Sequence, residues 1–503
     1  MASPEYSLKV QEWSKQGLLT PEAVLSALGD RIKDFGILDK EEEQPYLRKT
    51  FESLCTDVNG SKVLSQSTFT SFLNESGFLP ESMIDAGAVL YSALLYLSQT
   101  PFHQSPAEAL TFDGLIRAIA WTDYDMSRRV YEEESESKAR TPDDTQRILF
   151  QSLATSKAMK RAASGVGQHR DQVEIDISGL PSSQVHNQDQ DGDKTFQDVM
   201  DALYSVQPTK PWMSPVPQDY FRPIARNIHQ TAPLLDDLAI PEATFQAFIR
   251  LMLFTHFGRP NVKLESLVDL DHAVDCILRR FVQDSDIGIT WNSFHNALST
   301  IPELFTGLRH ILACFYKTPT SDSLARRLPQ PARVATWSVF AQLDAIISDT
   351  VCFDEVQFHK SYQPHLMSTR ASSFADELNA APDPLILLVS GTFTESKEKA
   401  IFGYFLPWGN GADASGVFLC QLSPVHDVFR GNGTRPGWIL ANDVLLFGSR
   451  GNGVTLSLSK DLKQATVSHS ASLQGKPMYQ PSAWRGDWQE EVRVEEIEIW
   501  VED

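Results

Sequence analysis

The final third of the chain, from about residue 383, consists of short apolar runs separated by Gly, Pro, Asn and Asp. Runs of this length and with these boundaries predict β-strands rather than helices. They lie at residues 385–391, 400–405, 416–422, 444–448, 454–458 and 494–500. In the run 454–458 apolar and hydroxyl side chains alternate, which predicts a sheet with one buried face and one solvent-exposed face.

The last of these runs changes phase along its length. Its apolar residues are Val492, Val494, Ile497, Ile499 and Val501. Because neighbouring side chains of a strand point to opposite faces, the first two and the last three would lie on different faces of a regular strand. A β-bulge near Glu495 and Glu496 would bring all five to one face, and we predict a bulge there.

An ordered set of short motifs in this region resembles the TLDc domain family. The motifs are Phe402-Gly403-Tyr404 ahead of Trp408, Phe418-Leu419, Asn442-Asp443 before Phe447-Gly448, Gly451-Asn452-Gly453, Lys460-Asp461-Leu462 and Ile497-Glu498-Ile499-Trp500. The resemblance implies a β-sandwich flanked by helices over residues 333–503. Members of this family are linked to oxidative-stress resistance and to binding the V-ATPase, the proton pump of vacuoles and lysosomes. In architecture the chain is similar to the mTOR-associated lysosomal members and to the fungal restriction-of-telomere-capping members.

Residues 1–131 are predicted to form an all-helical region. Thr20-Pro21-Glu22 is a strong helix start, with Thr as N-cap, Pro in the first turn and Glu near the positive helix end. Residues 57–68 lie between two predicted helices and resemble an EF-hand calcium loop, but Lys62 replaces the glycine of the sharp turn and Thr68 replaces the bidentate glutamate. We predict a degenerate EF-hand that serves helix packing, paired with a second half over residues 110–115.

Residues 132–195 are predicted to be a mostly disordered acidic linker, interrupted by a short helix near residues 145–154. The best formal calcium pattern of the chain begins in this linker, with Asn187, Asp189, Asp191 and Asp198 at oxygen-ligand positions of an EF-hand loop. Lys194 stands where the hydrophobic contact belongs and no amphipathic helix precedes the loop, so we interpret this stretch as an acidic linker without a metal. No cofactor is therefore predicted, and a calcium site at these four residues is the alternative.

A second helical EF-hand-like region is predicted for residues 196–330. A helix over residues 196–206 is followed by prolines at 208, 211, 215, 217 and 223, which predict an extended segment. Residues 284–290 resemble another EF-hand loop, with Ile289 and Thr290 as its short β-contact. The predicted fold class is therefore α+β: an all-helical degenerate EF-hand-like module followed by the C-terminal TLDc sandwich.

Composition restricts the partners and the location. The net charge is −21, from 44 Lys and Arg against 65 Asp and Glu. No nucleic-acid partner is expected, because phosphate contacts require a basic surface. No apolar run is long enough for a transmembrane segment, and the five widely spaced cysteines fit free thiols of a reducing compartment. We expect a cytoplasmic protein, and the resemblance adds peripheral association with the vacuolar or lysosomal membrane.

The sequence contains no P-loop, no GxSxG elbow and no HExxH motif. Cys420 lies in a predicted strand, whereas a peroxidatic thiol needs an accessible site that lowers its pKa. We predict a protein that is not an enzyme and has no catalytic residues. The candidate protein-binding residues are Trp484, Arg485 and Trp488, because a loop with two aromatic side chains and an arginine suits an interaction hot spot. The alternative is a loop folded back on its own sandwich.

The function that these observations favour is regulation through a protein partner. The resemblance implies that the partner is the V-ATPase, bound through its peripheral subunits, with a role in pump regulation and oxidative-stress resistance. Two alternatives stay open: a calcium-responsive adaptor in TOR-type signalling, and a direct antioxidant enzyme.

Overall fold

A computed structural model describes residues 4–36, 38–103, 108–131, 141–156, 194–209, 214–229, 234–255, 267, 269–282, 286–318, 330–347, 356–407, 416–433, 437–471 and 475–502. The chain divides into two compact units. One unit comprises Met1–Thr244, Asp284–His295 and Ile311–Thr318, and the other comprises Phe245–Gln283, Asn296–His310 and Pro319–Asp503. The first is mainly helical and the second carries a large antiparallel sheet, so the predicted α+β class is confirmed. The domain limits given above remain predictions.

The described α-helices are Pro4–Lys15, Pro21–Asp34, Glu43–Leu54, Gln66–Glu75, Ile84–Gln99, Phe112–Trp121, Tyr124–Ser127, Pro142–Leu153, Lys194–Ser205, Arg222–His229, Glu242–Thr255, Leu270–Phe281, Trp291–Leu298, Gly307–Tyr316, Trp337–Asp344 and Ala371–Ala380. The short strands of the helical unit are β1 (Thr56–Val58), β2 (Ser61–Leu64), β3 (Leu110–Thr111), β4 (Thr155–Ser156) and β5 (Leu238–Ala239). The remaining strands are β6 (Val356–Tyr362), β7 (Leu385–Phe393), β8 (Lys399–Leu406), β9 (Phe418–Ser423), β10 (Asp427–Arg430), β11 (Trp438–Ala441), β12 (Val444–Ser449), β13 (Asn452–Leu458), β14 (Gln464–Ser470) and β15 (Trp488–Glu502).

The first EF-hand-like pair is present, but its loop is not a calcium loop in shape. Leu64 of β2 pairs with Leu110 of β3, which confirms the predicted second half. Strands β1 and β2 form a tight hairpin whose turn residues Asn59 and Gly60 have φ angles of 54° and 83°. Asn-Gly favours this type of two-residue turn, because both positions need positive φ. The Asp57 carboxylate accepts a hydrogen bond from the Gly60 N–H at 2.8 Å, so it stabilises the turn.

The second EF-hand-like contact joins Ile240 and Ile289. Each N–H donates to the other residue's carbonyl oxygen, at 2.8 and 3.0 Å. The predicted β-contact at Ile289 is therefore confirmed, although the sequence did not indicate its partner. The predicted extended segment is wrong at its end, where Pro223 lies in the first turn of the helix Arg222–His229. Proline suits that position because the first turn of a helix uses no N–H in its own hydrogen bonds.

The predicted linker is described over residues 141–156 and 194–195. The first stretch forms the helix Pro142–Leu153, whose N-terminus carries a capping box between Thr141 and Asp144, followed by β4. Residues 194 and 195 begin the helix Lys194–Ser205, so the predicted linker ends earlier than expected. Residues 132–140 and 157–193 of the predicted linker lie outside the described residues.

The strands β6–β15 form one antiparallel sheet that folds over itself. The hydrogen-bonded order is β10-β9-β8-β7-β15-β14-β13-β12-β11, and β6 pairs with β15. In a flat sheet β8 and β12 would lie ~24 Å apart, at about 4.8 Å per strand. The rings of Tyr404 in β8 and Phe447 in β12 nevertheless have centroids 5.0 Å apart. The two halves of the sheet therefore pack face to face, which confirms the predicted sandwich.

Strand β15 belongs to both halves of the sandwich. Its pairing with β7 shifts register between Val494 and Glu496, so the predicted bulge is confirmed. The five apolar residues Val492, Val494, Ile497, Ile499 and Val501 all enter one buried core.

A buried carboxylate connects β15 to the segment that leads into the sheet. Glu498 is 0% exposed, and its side chain accepts hydrogen bonds from the N–H groups of Arg333, Val334 and Ala335 at 2.8–3.0 Å. The helix Trp337–Asp344 follows directly. Its Phe340 ring packs edge-on against the Trp500 ring, with centroids 5.0 Å apart.

Candidate protein-interaction site

The three predicted protein-binding residues lie together at the start of β15. The rings of Trp488 and His469 stack with centroids 5.7 Å apart, because these residues are paired across β15 and β14. The Arg485 guanidinium lies 4.3 Å from the Trp488 ring centroid and 5.5 Å from that of Trp484. All three candidate side chains are half-buried, and the arginine lies close to both indole rings.

A buried carboxylate that the sequence did not indicate holds this loop in place. Asp427, the first residue of β10, is 0% exposed. Both of its oxygens accept from the Ser482 hydroxyl at 2.7 Å. Arg485 Nη1 lies 3.6 Å from one oxygen and also donates to the Gln421 side chain at 2.7 Å. The loop is therefore anchored to the edge of its own sandwich through Arg485 and Ser482.

The helix Leu270–Phe281 adds a second arginine to the same carboxylate. Arg280 Nε lies 3.9 Å from Asp427, and the Arg280 guanidinium lies 5.0 Å from the Trp484 ring centroid. Burial lowers the pKa of both Arg280 and Arg485, while Asp427 opposes this effect. Guanidinium groups stay charged in proteins, so two cations share one carboxylate in the cluster that Arg280, Asp427, Trp484 and Arg485 form.

Several buried donors around Asp427 lack a hydrogen-bond partner. In the described part of the chain, Arg280 Nε and Nη1, His426 Nε2 and the indole nitrogens of Trp484 and Trp488 make no hydrogen bond. A buried donor without a partner costs about 1–3 kcal/mol. The two indole nitrogens of the loop are thus buried against the domain itself.

The histidine beneath the loop is neutral. His469 Nδ1 donates to the Gly486 carbonyl at 3.0 Å, and Nε2 accepts from the Ser482 N–H at 2.9 Å. Burial and then Arg485 lower the pKa of His469. His426 lies 0% exposed beside Asp427, and burial, with a contribution from Arg280, lowers its pKa to about 3. Both histidines are therefore uncharged, and His469 hydrogen-bonds the loop in that form.

The calcium candidates can be located only in part. Asp198 lies on the helix Lys194–Ser205, is 6% exposed and accepts from Arg147 Nη2 at 2.7 Å. Asn187, Asp189 and Asp191 lie outside the described residues, so the calcium alternative stays a hypothesis. Within the described ranges, no three His, Cys, Asp or Glu side chains lie close enough together to hold a metal ion.

Cys420 lies in the interior of the sandwich. It is 1% exposed in β9, and burial raises its pKa to about 12. A thiol with so high a pKa is almost entirely protonated at neutral pH, whereas the thiolate is the reactive form. In the portion of the chain that the structure describes, no helix has both the length and the apolar character needed to cross a membrane.

Comparison with known proteins identifies the C-terminal region. Residues 328–503 match the TLDc domain family. Restriction of telomere capping protein 5 from Fusarium vanettenii is 21% identical over 544 aligned residues, which cover 90% of this chain and 84% of that protein. The protein of the same name from Leptosphaeria maculans is 22% identical over 591 aligned residues, covering 96% of this chain and 89% of that protein. The resemblance drawn from the motifs is confirmed, and the C-terminal region of this chain is a TLDc domain.

Proposed function

We propose that this protein is a regulatory, non-catalytic protein whose TLDc domain binds the peripheral subunits of the V-ATPase. The match of residues 328–503 to the TLDc domain carries the proposal, because the family is linked to that pump. The relatives named for restriction of telomere capping are similar over most of the chain, which supports a regulatory role for the whole protein. A role in oxidative-stress resistance and a location at the vacuolar or lysosomal membrane belong to the same proposal.

The loop with Trp484, Arg485 and Trp488 is the proposed contact region. Aromatic and arginine side chains contribute most to protein interfaces when they are held rigidly. Here the Asp427 carboxylate and the Gln421 amide hold Arg485, and ring stacking holds Trp488. The loop is thus organised before binding, which lowers the entropy cost of association.

The antioxidant-enzyme alternative receives less support. Its thiol version needs a reactive cysteine, and Cys420 is both buried and shifted to a pKa of about 12. The calcium-adaptor alternative rests on residues of which only Asp198 is described, and that carboxylate is already paired with Arg147.

A pull-down with the full-length tagged chain tests the proposal. We expect the wild-type chain to recover peripheral V-ATPase subunits from cell lysate, identified by mass spectrometry. The Trp488→Ala variant should recover much less. Trp13→Ala is the matched control, because Trp13 is also half-buried and stacks on Phe221 in the helical unit. Absence of pump subunits from the wild-type sample would contradict the proposal.

A further inference from the structure

A pocket of about 390 Å³ opens on the TLDc domain between two loops. One wall is the segment 365–370, between β6 and the helix Ala371–Ala380, and the other is Lys460, Asp461 and Lys463 between β13 and β14. The N–H of Ala371 donates to the carbonyl of Lys460 at 2.9 Å, which joins the two walls. A backbone hydrogen bond thus holds the two walls together on one side of the pocket.

The lining of this pocket is basic, although the chain carries a net charge of −21. Arg370, Lys460 and Lys463 line it together with His365, and Asp461 is the only carboxylate among the described lining residues. Asp461 accepts from the Ser459 hydroxyl at 2.9 Å and from the Lys463 N–H at 3.2 Å, and it keeps its negative charge. The side chains of Arg370 and Lys463 are exposed. Lys460 forms an ion pair with Asp443, which lies outside the lining, at 2.9 Å. Arg370 and Lys463 are therefore the cations that the pocket offers to a ligand.

The rim of the pocket exposes two apolar side chains. Leu366 is 72% exposed and Met367 is 49% exposed. Both N–H groups donate to the Gln363 carbonyl, at 2.8 and 3.0 Å, so a turn holds them in this position. Exposed apolar groups beside a concave basic surface are typical of a binding site, and methionine adapts readily to different partners.

We propose that this pocket binds an acidic segment of a partner protein that carries an apolar side chain next to its carboxylates. The carboxylates would pair with Arg370 and Lys463, and the apolar side chain would cover Leu366 and Met367. An anionic membrane offers the same charge, but the overall negative charge of the chain opposes adhesion to it. A concave site of this volume also suits a peptide better than a planar surface. The inference rests on the proposed function, since it names a second contact through which the TLDc domain would dock.

Binding of a defined peptide to the full-length chain tests the inference directly. The probe is a fluorescein-labelled peptide in which glutamate and leucine alternate, with a second peptide that carries glutamine in place of glutamate. We expect saturable, salt-sensitive binding of the glutamate peptide, and binding about tenfold weaker for the double variant Arg370→Glu, Lys463→Glu. Lys476→Glu is the matched control, because Lys476 is exposed on the same domain but does not line the pocket.

A second variant separates the apolar contribution. Leu366→Ser combined with Met367→Ser should weaken peptide binding while the thermal unfolding midpoint stays that of the wild type, because both side chains are exposed. Equal binding by the wild type and the charge-reversed variant would overturn the inference, as would equal binding of the glutamine peptide. The inference would also be overturned if the wild type bound phosphatidylserine vesicles but not the peptide, and if the double variant no longer bound the vesicles.

The same variants distinguish this inference from the proposed function. If the wild type and the double variant recover V-ATPase subunits equally well and also bind the peptide equally, the pocket inference fails while the proposed function stands. If the wild type recovers no pump subunits but binds the peptide through Arg370 and Lys463, the proposed function fails while the pocket remains a protein-binding site.

Discussion

The substitution Glu498→Gln should destabilise the TLDc domain although it changes the side chain's shape very little. One carboxylate oxygen of Glu498 accepts from the N–H groups of Arg333 and Val334. The other accepts from the N–H of Ala335 and from the Trp500 indole nitrogen at 3.2 Å. In glutamine one of these oxygens becomes an NH₂ group. Two donors therefore lose their acceptor whichever way the amide is oriented.

The magnitude follows from the number of donors that lose a partner. A buried donor without an acceptor costs about 1–3 kcal/mol, so Glu498→Gln should lower the free energy of unfolding by about 2–6 kcal/mol. Glu495→Gln is the control, because Glu495 lies in the same strand but its side chain is 51% exposed, and we expect a change within about 0.5 kcal/mol.

Two measurements on the full-length chain check this prediction. Urea unfolding followed by tryptophan fluorescence gives the free energy of unfolding. Hydrogen–deuterium exchange should show faster exchange of the amides of residues 333–335 in Glu498→Gln than in the wild type. If the free energy of unfolding of Glu498→Gln lies within 1 kcal/mol of the wild-type value and the exchange rates of these amides are unchanged, our account of this contact is wrong.

Three further predictions concern the same domain. Gly391→Ala should destabilise it by about 1–3 kcal/mol, since an added Cβ would overlap the Arg493 carbonyl oxygen, whereas Gly486→Ala has open space and should be neutral in the same urea assay. Cys420 should resist alkylation in the native protein at pH 7 and react only after unfolding, as peptide mass spectrometry would show; rapid native labelling would refute its burial. The folded-state pKa of His426 lies near 3, below its ordinary value, so the unfolded chain takes up the proton first as the pH falls. Protonation of this histidine should therefore lower the free energy of unfolding by about 2 kcal/mol between pH 7 and pH 5. Urea midpoints that fall no more for the wild type than for His426→Gln over that range would contradict this.

Local sequence patterns were enough to predict several parts of the fold. The phase change in the last strand located the bulge, because the two-residue side-chain period allows few other solutions. The β-contacts at residues 110–111 and at Ile289 were also predictable, since helix–loop–helix spacing leaves a hydrophobic residue at the contact, but Ile240 was not indicated as the partner of Ile289. The hairpin at Asn59-Gly60 was missed, although Asn-Gly is itself a strong signal for a two-residue turn.

Other features depend on residues that are distant in the chain. Arg280 and Asp427 form one buried cluster, but nothing near either residue indicates the other. The edge strand β11 spans only Trp438–Ala441, and three of its four side chains are exposed, so no apolar pattern marked it. Strand β6 likewise lacks alternation, because four consecutive side chains in it are exposed. Tertiary contacts determine these elements, and a single sequence does not encode them in a local pattern.

Binding of the purified full-length chain to the purified peripheral sector of the V-ATPase tests the central claim most directly. With the chain immobilised on a biolayer interferometry sensor, we predict saturable binding. The affinity should fall by tenfold or more for Trp488→Ala, as expected for an aromatic hot spot, and should not change for Trp13→Ala. Absence of binding by the wild-type chain, or equal binding by Trp488→Ala, would contradict docking through this loop of the TLDc domain.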